Sequence, residues 1–349
     1  RFWVDDNEDE IALLEREINH NIQKRQKELE LTIALTNYCN FSCVYCYQNK
    51  NEKLMTTEVA NMIIEKIDRI LNDNIFEGIN IHYFGGEPLL NIPVLVYLDE
   101  NIKKITDKIG IVYKAFLTTN GSMLSKELLQ KVKFSSIQLT FDGLEKTHDR
   151  LRVSDHFHFK EEIELIENIM NFSQAKVLLR TNICKENKDE IIALHKYIFE
   201  KFGNERIEIN PNRTIKYHQD DSFEMLSVQE YAEVAYQIKL LWSEQKGKFE
   251  LPVPRSTPCK FPYGNAYAIS PEGYCTFCSG SMDQEKKYFF DVDIENKKMF
   301  SVRKECKKCN ILPLCLGGCI IQYNLRAGAC TYEKYELKNI LISYIKHIS

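Results

Sequence analysis

Three cysteines within eight residues, Cys39, Cys43 and Cys46, are the densest chemistry in the stretch Thr36-Asn37-Tyr38-Cys39-Asn40-Phe41-Ser42-Cys43-Val44-Tyr45-Cys46-Tyr47. Thiolates at the spacing C-x3-C-x2-C suit zinc or an iron-sulfur cluster. A cluster held by only three cysteines keeps one iron open to another molecule. The competing reading is a structural zinc site closed by a distant fourth ligand, and such sites more often pair C-x2-C with a second C-x2-C or with histidines. A second array follows much later: Cys259, Cys275, Cys278, Cys306, Cys309, Cys315, Cys319 and Cys330. That segment has little apolar periodicity, so its fold is expected to depend on metal ligation, with zinc ribbons as the alternative. Only Cys184 stands apart from both groups.

The first triplet follows the apolar run Leu31-Thr32-Ile33-Ala34-Leu35, so a buried strand delivers three thiols into one short loop. Six such β-rich runs follow one another: Leu31–Thr36, Ile79–Phe84, Val112–Thr118, Ser136–Phe141, Lys176–Thr181 and Arg206–Asn210. Helical stretches near 56–72, 93–109, 125–132, 160–172 and 188–202 separate them. Strand, helix, strand in series implies parallel strands joined by right-handed crossovers. Six units are too few to close an eight-stranded barrel, so the fold class expected is α/β with an open, partial (β/α)6 TIM-like barrel over residues 31–211. Residues 1–30 are highly charged, with Ile11, Leu14, Ile18 and Ile22 at helical spacing, and are expected to form an amphipathic helix leading into the barrel. Residues 212–258 form a bridge with a helix around Val228–Trp242, ended by the proline-rich Leu251–Pro258. The cysteine-rich segment is 259–332 and a C-terminal helix 333–349.

In parallel barrels the chemistry sits in the loops after the strands. Gly85-Gly86-Glu87-Pro88 follows the second strand, and its two glycines permit close backbone approach or simply a turn. Thr118-Thr119-Asn120-Gly121 ends the third strand and Thr140-Phe141-Asp142-Gly143 the fourth. Then comes Thr147-His148-Asp149-Arg150-Leu151-Arg152, where His148 and Asp149 read as loop caps. Arg180-Thr181-Asn182 and Asn210-Pro211 end the last two strands and are weaker candidates for cofactor or substrate contacts.

At these residues the chain resembles the radical SAM superfamily, whose signature is C-x3-C-x2-C with an aromatic residue, here Tyr45, before the last cysteine. The resemblance implies a [4Fe-4S] cluster on Cys39, Cys43 and Cys46, with S-adenosylmethionine (SAM) on the open iron. It further implies reductive cleavage of SAM to a 5'-deoxyadenosyl radical that abstracts a hydrogen atom. Gly85, Gly86 and Glu87 match the motif that receives the methionine ammonium, Thr140 and Arg152 match contacts to the ribose and carboxylate, and Asn120 joins them as a cofactor contact.

The later array resembles the SPASM extension of that superfamily, through Cys306-x2-Cys309-x5-Cys315-x3-Cys319 with Cys330, and through Cys259 followed by Gly273-x4-Cys278. It implies two auxiliary [4Fe-4S] clusters, three clusters in all. One takes Cys306, Cys309, Cys315 and Cys330, and the other Cys259, Cys278 and Cys319, with Cys275 either its fourth ligand or a spectator beside an open iron. SPASM proteins mostly act on peptides. In the sulfatase-maturing subgroup an aspartate base follows the cysteine of G-x4-C, but this chain has Ser279 there, and a hydroxyl is no proton acceptor near neutral pH. The leading expectation is therefore a maturase that crosslinks a precursor peptide through a thioether, carbon-carbon or carbon-oxygen bond. It would draw electrons from a reductant such as flavodoxin or ferredoxin. A peptide epimerase using Cys184 as hydrogen donor, and a non-enzymatic electron carrier, are the other readings.

Composition bounds these readings. At 349 residues, 44% apolar and 28% charged, the chain reads as soluble and globular with two domains. A net charge of -4 with interleaved signs offers no footprint for nucleic acid or an anionic membrane. No apolar run nears the roughly 18 residues of a membrane span. Twelve cysteines in short clusters argue for metal sites over disulfides, and hence a reducing cytoplasm. The chain begins at Arg1 without methionine, which fits a missing start, leader or further N-terminal domain.

Overall fold

Alternation of leucines with glutamates begins the sheet. In β1 (Glu28–Ala34), Leu29, Leu31 and Ile33 are buried while Glu28 and Glu30 stay half-exposed on the other face. The computed structural model describes residues 8–73, 76–203, 206–216, 222–247, 251–276, 278–281, 287–292, 299–319 and 330–348. Residues 320–329 of the expected cysteine-rich segment, and 1–7 of the expected N-terminal helix, lie outside them. Contacts divide the chain into two units, one of residues 28–226 with 267–294, the other of 1–27, 227–266 and 295–349.

The first unit holds the parallel barrel strands. After α1 (Glu10–Arg25) and β1, the chain runs through α2 (Thr57–Asp73), β2 (Gly78–Phe84), α3 (Ile92–Ile109), β3 (Val112–Thr118), α4 (Lys126–Lys131) and β4 (Phe134–Thr140). It continues with α5 (Glu145–Leu151), α6 (Phe159–Phe172), β5 (Lys176–Ile183), α7 (Ile191–Phe202) and β6 (Ile207–Arg213). Each strand pairs in parallel with the next in sequence, the order of an open, partial barrel. One face of the sheet buries Ile79, Ile81, Tyr83, Leu117, Ile137, Leu139, Val177 and Leu179. The other face carries half-exposed polar groups such as His82, Thr118, Gln138, Arg180 and Asn182. Burial at every second residue fixes the register, because a one-residue slip would exchange the two faces.

Several boundaries differ from the sequence expectation. β1 starts three residues earlier, and Thr36 leaves it to bridge Leu54 across the cysteine loop. β6 runs through Pro211, which an edge strand tolerates because one side of its ladder has no partner. The segment read as a loop with caps at His148 is the helix α5. Three short antiparallel strands, β7 (Asn265–Ile269), β8 (Tyr274–Thr276) and β9 (Lys287–Tyr288), extend the sheet beyond β1. At five, three and two residues they are too short for alternation to reveal them.

In the second unit the apolar stripe of α1 packs on residues distant in sequence. Ile18 and Ile22 cluster with Phe300, Val302, Leu312 and Leu316, and Asn19 exchanges two hydrogen bonds with the Phe300 backbone. α8 (Val228–Lys246) packs against the C-terminal helix. That helix, α11 (Glu333–Ile348), follows α9 (Lys260–Tyr263) and α10 (Leu312–Cys315). Among the described residues no helix is long and apolar enough to cross a membrane.

His195 of α7 is fully buried in the barrel core, with Nε2 3.2 Å from Thr181 Oγ1. Burial pushes it down to about 3. The unfolded chain protonates this histidine below about 6.5 and the folded protein does not. Unfolding therefore takes up a proton between about 6.5 and about 3, and stability falls as pH falls through that window. His195→Gln should flatten this acid limb by up to about 1.4 kcal/mol per pH unit, measured by urea denaturation across the window.

Candidate metal centre and cofactor site

The loop from Leu35 to Met55 carries the three cysteines, and its ends are tied together. Met55 N–H donates to Leu35 O at 2.8 Å, and the buried Asn91 side chain donates to Leu35 O and to Met55 O. The glycine motif after β2 runs directly alongside. Gly86 N–H donates to Thr36 O and Glu87 N–H to Tyr38 O, both at 2.8 Å. A Cβ on Gly85, which has φ +137, would stand 2.3 Å from Thr36 O, and one on Gly86 2.1 Å from Tyr38 O. Both glycines are thus required by the close passage of the cysteine loop, whatever else they contact. Gly86→Ala should cost about 1–3 kcal/mol and lower iron incorporation, since the obstacle is backbone; thermal melting and iron per chain test this.

Glu87 lies fully buried under this junction. Its carboxylate accepts from Leu89 N–H (3.0 Å), Thr119 Oγ1 (2.6 Å) and Asn120 N–H (2.6 Å). Burial raises the carboxyl above its ordinary range, while those three donors hold the ionised form. Two carboxylate oxygens offer about four acceptor positions, so about one remains for a further donor. Asn120 joins the barrel to the cysteines, with Nδ2 2.8 Å from Asn40 Oδ1 and 3.8 Å from Cys39 Sγ.

On the other side of the loop, Ser42 and Val44 N–H donate to Val153 O and Leu151 O. Tyr45 donates its hydroxyl to Asp142 Oδ2, and Arg152 places its guanidinium carbon 5.4 Å from the Phe41 ring centre. Arg152 is buried, as are Asp142, His148 and Glu162. His148 Nδ1 accepts from Asp142 N–H at 3.4 Å, which leaves the ring proton on Nε2, 3.1 Å from Glu162 Oε2. Asp149 caps the start of α6 by accepting from Phe159 N–H. Thr140 lies at the end of β4, opposite Arg180.

Cys184 packs with Leu151 and Phe223 behind Val44 and Tyr45. Its thiol stands 3.6 Å from Asn187 Oδ1, and burial pushes it up to about 12. Cys184 is fully buried in this cluster.

Asp142, Glu162 and Asn91 escaped the sequence reading. Glu162 falls on the apolar phase of α6 with Phe159, Ile163 and Ile166, and a carboxylate in that phase was the available signal. For Asp142 the available signal was its place before a glycine at a strand end. Asn91 gave none.

The donor chemistry fits an iron-sulfur cluster. Burial raises the thiols of Cys39 and Cys43, the latter to about 11; Cys46 raises Cys39 further, and Cys46 and Cys39 both raise Cys43, so the three share one neighbourhood. Among the described residues no three His, Cys, Asp or Glu side chains form a group able to hold a single metal ion. In the second unit Cys315 adds to the effect of burial on Cys306, Cys309 adds to it on Cys315, and Cys319 adds to it on Cys259. Cys330 stands 4.0 Å from Lys334 Nζ. In the first unit Cys275 is buried on β8, and Cys278 is half-buried with its sulfur accepting from Gly280 N–H.

A partial parallel barrel with three cysteines in the loop after its first strand defines a radical SAM domain, and the radical SAM superfamily model matches residues 33–198. The chain therefore carries a radical SAM domain over residues 33–198. It is 24% identical over 372 residues to the radical SAM cyclopropyl synthase TigE of Paramaledivibacter caminithermalis, covering 93% of this chain and 76% of that one. The solved structure of anSMEcpe with bound AdoMet and Cp18Cys peptide superposes with TM-score 0.71 at 18% identity, covering 92% of this chain and 98% of that one. Streptococcus suis SuiB bound to precursor peptide SuiA gives TM-score 0.62 at 17% identity over 91% of this chain and 77% of that one. The chain spans about half the length of other curated relatives, such as the GTP 3',8-cyclase of Clostridium perfringens (32% identity, 47% of this chain, 50% of that one).

Proposed function

We propose that the protein is a radical SAM maturase that oxidatively crosslinks a precursor peptide. The observation that carries this reading is the division of eleven cysteines into a three-thiol loop on the barrel and a second array of eight. Cys39, Cys43 and Cys46 would hold the first cluster, with Tyr45, Gly85, Gly86, Glu87, Asn120, Thr140 and Arg152 around SAM. When bound, that pair supplies the 5'-deoxyadenosyl radical.

The chain's own groups do the positioning. The remaining acceptor position on Glu87 suits an ammonium donor, and the buried Arg152 guanidinium suits a carboxylate. Cys306, Cys309, Cys315 and Cys330 would hold one auxiliary cluster, and Cys259, Cys278 and Cys319 with Cys275 another. A crosslink needs a hydrogen atom removed from the peptide and then one further electron, and an auxiliary cluster is a suitable acceptor. Ser279 in place of a carboxylate counts against formylglycine formation. The buried Cys184 counts against an epimerase that uses it as donor. SuiB and anSMEcpe, both solved with bound peptides, support a peptide substrate and the TigE relative supports bond formation. We assign a flavodoxin or ferredoxin as electron donor and a cytoplasmic setting on the same reading.

Incubation of the anaerobically reconstituted protein with SAM, dithionite and candidate short precursor peptides tests the reading. The peptide should lose two hydrogens in mass as 5'-deoxyadenosine forms. Deoxyadenosine without a change in peptide mass overturns crosslinking, and no deoxyadenosine at all favours an electron carrier. Iron near twelve per chain is expected for three four-iron clusters.

A further inference from the structure

We infer that Asp142 is a positioning residue for the cysteine loop, holding Tyr45, and with it the segment between Cys43 and Cys46, to the ends of β4 and β5. The inference rests on the radical SAM reading above, which gives that loop its role. Every polar atom of Asp142 is engaged. Oδ2 accepts from the Tyr45 hydroxyl, Oδ1 from Asn182 N–H at 2.6 Å, and the main-chain oxygen from Asn187 Nδ2 at 2.9 Å. Its N–H donates to His148 Nδ1. One residue therefore joins the cysteine loop, β4, β5 and α5.

The remaining ties of this side of the loop are of a different kind. Ser42 and Val44 are held through main-chain N–H groups, so any side chain at those positions keeps them. Tyr45 alone among residues 43–46 sends a side-chain hydrogen bond into the strand ends in the described hydrogen bonds, and Asp142 receives it. The ring of Tyr45 meets Phe223 edge-on, at 6.5 Å between centres, which sets the ring but not the hydroxyl. Gly143, directly after Asp142, has φ +141, and a Cβ there would stand 2.9 Å from Thr147, so the chain turns sharply at this point into α5. The turn makes the carboxylate's position a property of the backbone. A buried carboxylate also keeps its partner fixed, because an unfilled lone pair there has no water to turn to.

If Asp142 acts through Tyr45, removing either side of the contact gives the same fault. Tyr45→Phe deletes one oxygen and keeps the ring. Asp142→Asn keeps the size and weakens the acceptor. Both variants and the double variant are reconstituted anaerobically, and deoxyadenosine release from SAM with dithionite is measured without peptide. All three cysteines remain, so iron per chain should match the parent. The KM for SAM should rise about tenfold in each single variant with a smaller change in kcat. The change that SAM produces in the electron paramagnetic resonance spectrum of the reduced protein should weaken equally. The double variant should be no worse than the poorer single one.

Tyr45→Phe with the parent's KM and spectrum overturns the inference, whether or not Asp142→Asn folds. Effects that multiply in the double variant also overturn it, since two independent roles would then be at work. A parent protein that releases no deoxyadenosine fails the functional reading instead, so the two failures are told apart.

Discussion

Cys43→Ala should reduce deoxyadenosine release to background and remove about four irons per chain, while the barrel still folds. Cys43 lies between two residues whose amides are fastened to the α5 end, Ser42 to Val153 and Val44 to Leu151. Those ties are main-chain bonds and survive the substitution. Cys43 is half-buried, and desolvation holds its thiol up to about 11, so in the absence of a metal it is a neutral group with little structural work. The expected loss is therefore in ligation and not in stability. Two thiolates cannot hold a four-iron cluster with an open iron in place of three. Cys184→Ala is the contrasting variant: its thiol sits in an apolar cluster with Leu151 and Phe223, and iron should stay at the parent level. Iron and sulfide quantification with melting temperatures measures both. Full iron in Cys43→Ala would remove the basis for the radical SAM assignment of this loop.

The cysteine loop and the barrel were legible because each depends on a local pattern. The continuous apolar run from Leu31 and the alternation in Ile79-Asn80-Ile81 mark strands whatever their neighbours do, and thiol spacing marks a ligand set within one loop. What escaped depends on pairs far apart in sequence. Asp142 meets Tyr45 across 97 residues, and Asn91 clamps Leu35 across 56. Neither partner has a property that announces the other. The glycine motif shows the intermediate case. Gly85 and Gly86 were noticed as places of close approach, but only the structure identifies what approaches, which is the backbone of Thr36 and Tyr38. α1 is similar: its stripe at Ile18 and Ile22 was plain, and its companions Phe300 and Val302 were not.

Arg152→Ala should destabilise the protein by about 3–5 kcal/mol, because it strips a buried positive charge from a group of buried acids. Glu162 is fully buried, and neither of its oxygens, nor Arg152 Nε, has a hydrogen-bond partner among the described residues. The 3.1 Å approach of His148 to Glu162 is an ion-pair distance without the geometry of a hydrogen bond. Burial works against the guanidinium charge, yet Glu162 first, then Tyr45, Cys43 and Asp142, outweigh it and raise the group well above its ordinary value. The carboxyl of Asp142 is raised by burial and held down chiefly by Arg152. Arg152 also faces Phe41, but a cation over a ring contributes only about 0.5–2 kcal/mol, less than the cost of an uncompensated buried carboxylate. The two causes separate in a cycle with Glu162→Gln. If charge compensation dominates, Arg152→Ala should cost several-fold less in the Glu162→Gln background, whereas a packing or ring effect would cost the same in both. Urea denaturation of the four proteins decides between them. Additive losses would mean that Glu162 is not the counter-ion of Arg152 and that the arginine is held for its stacking alone.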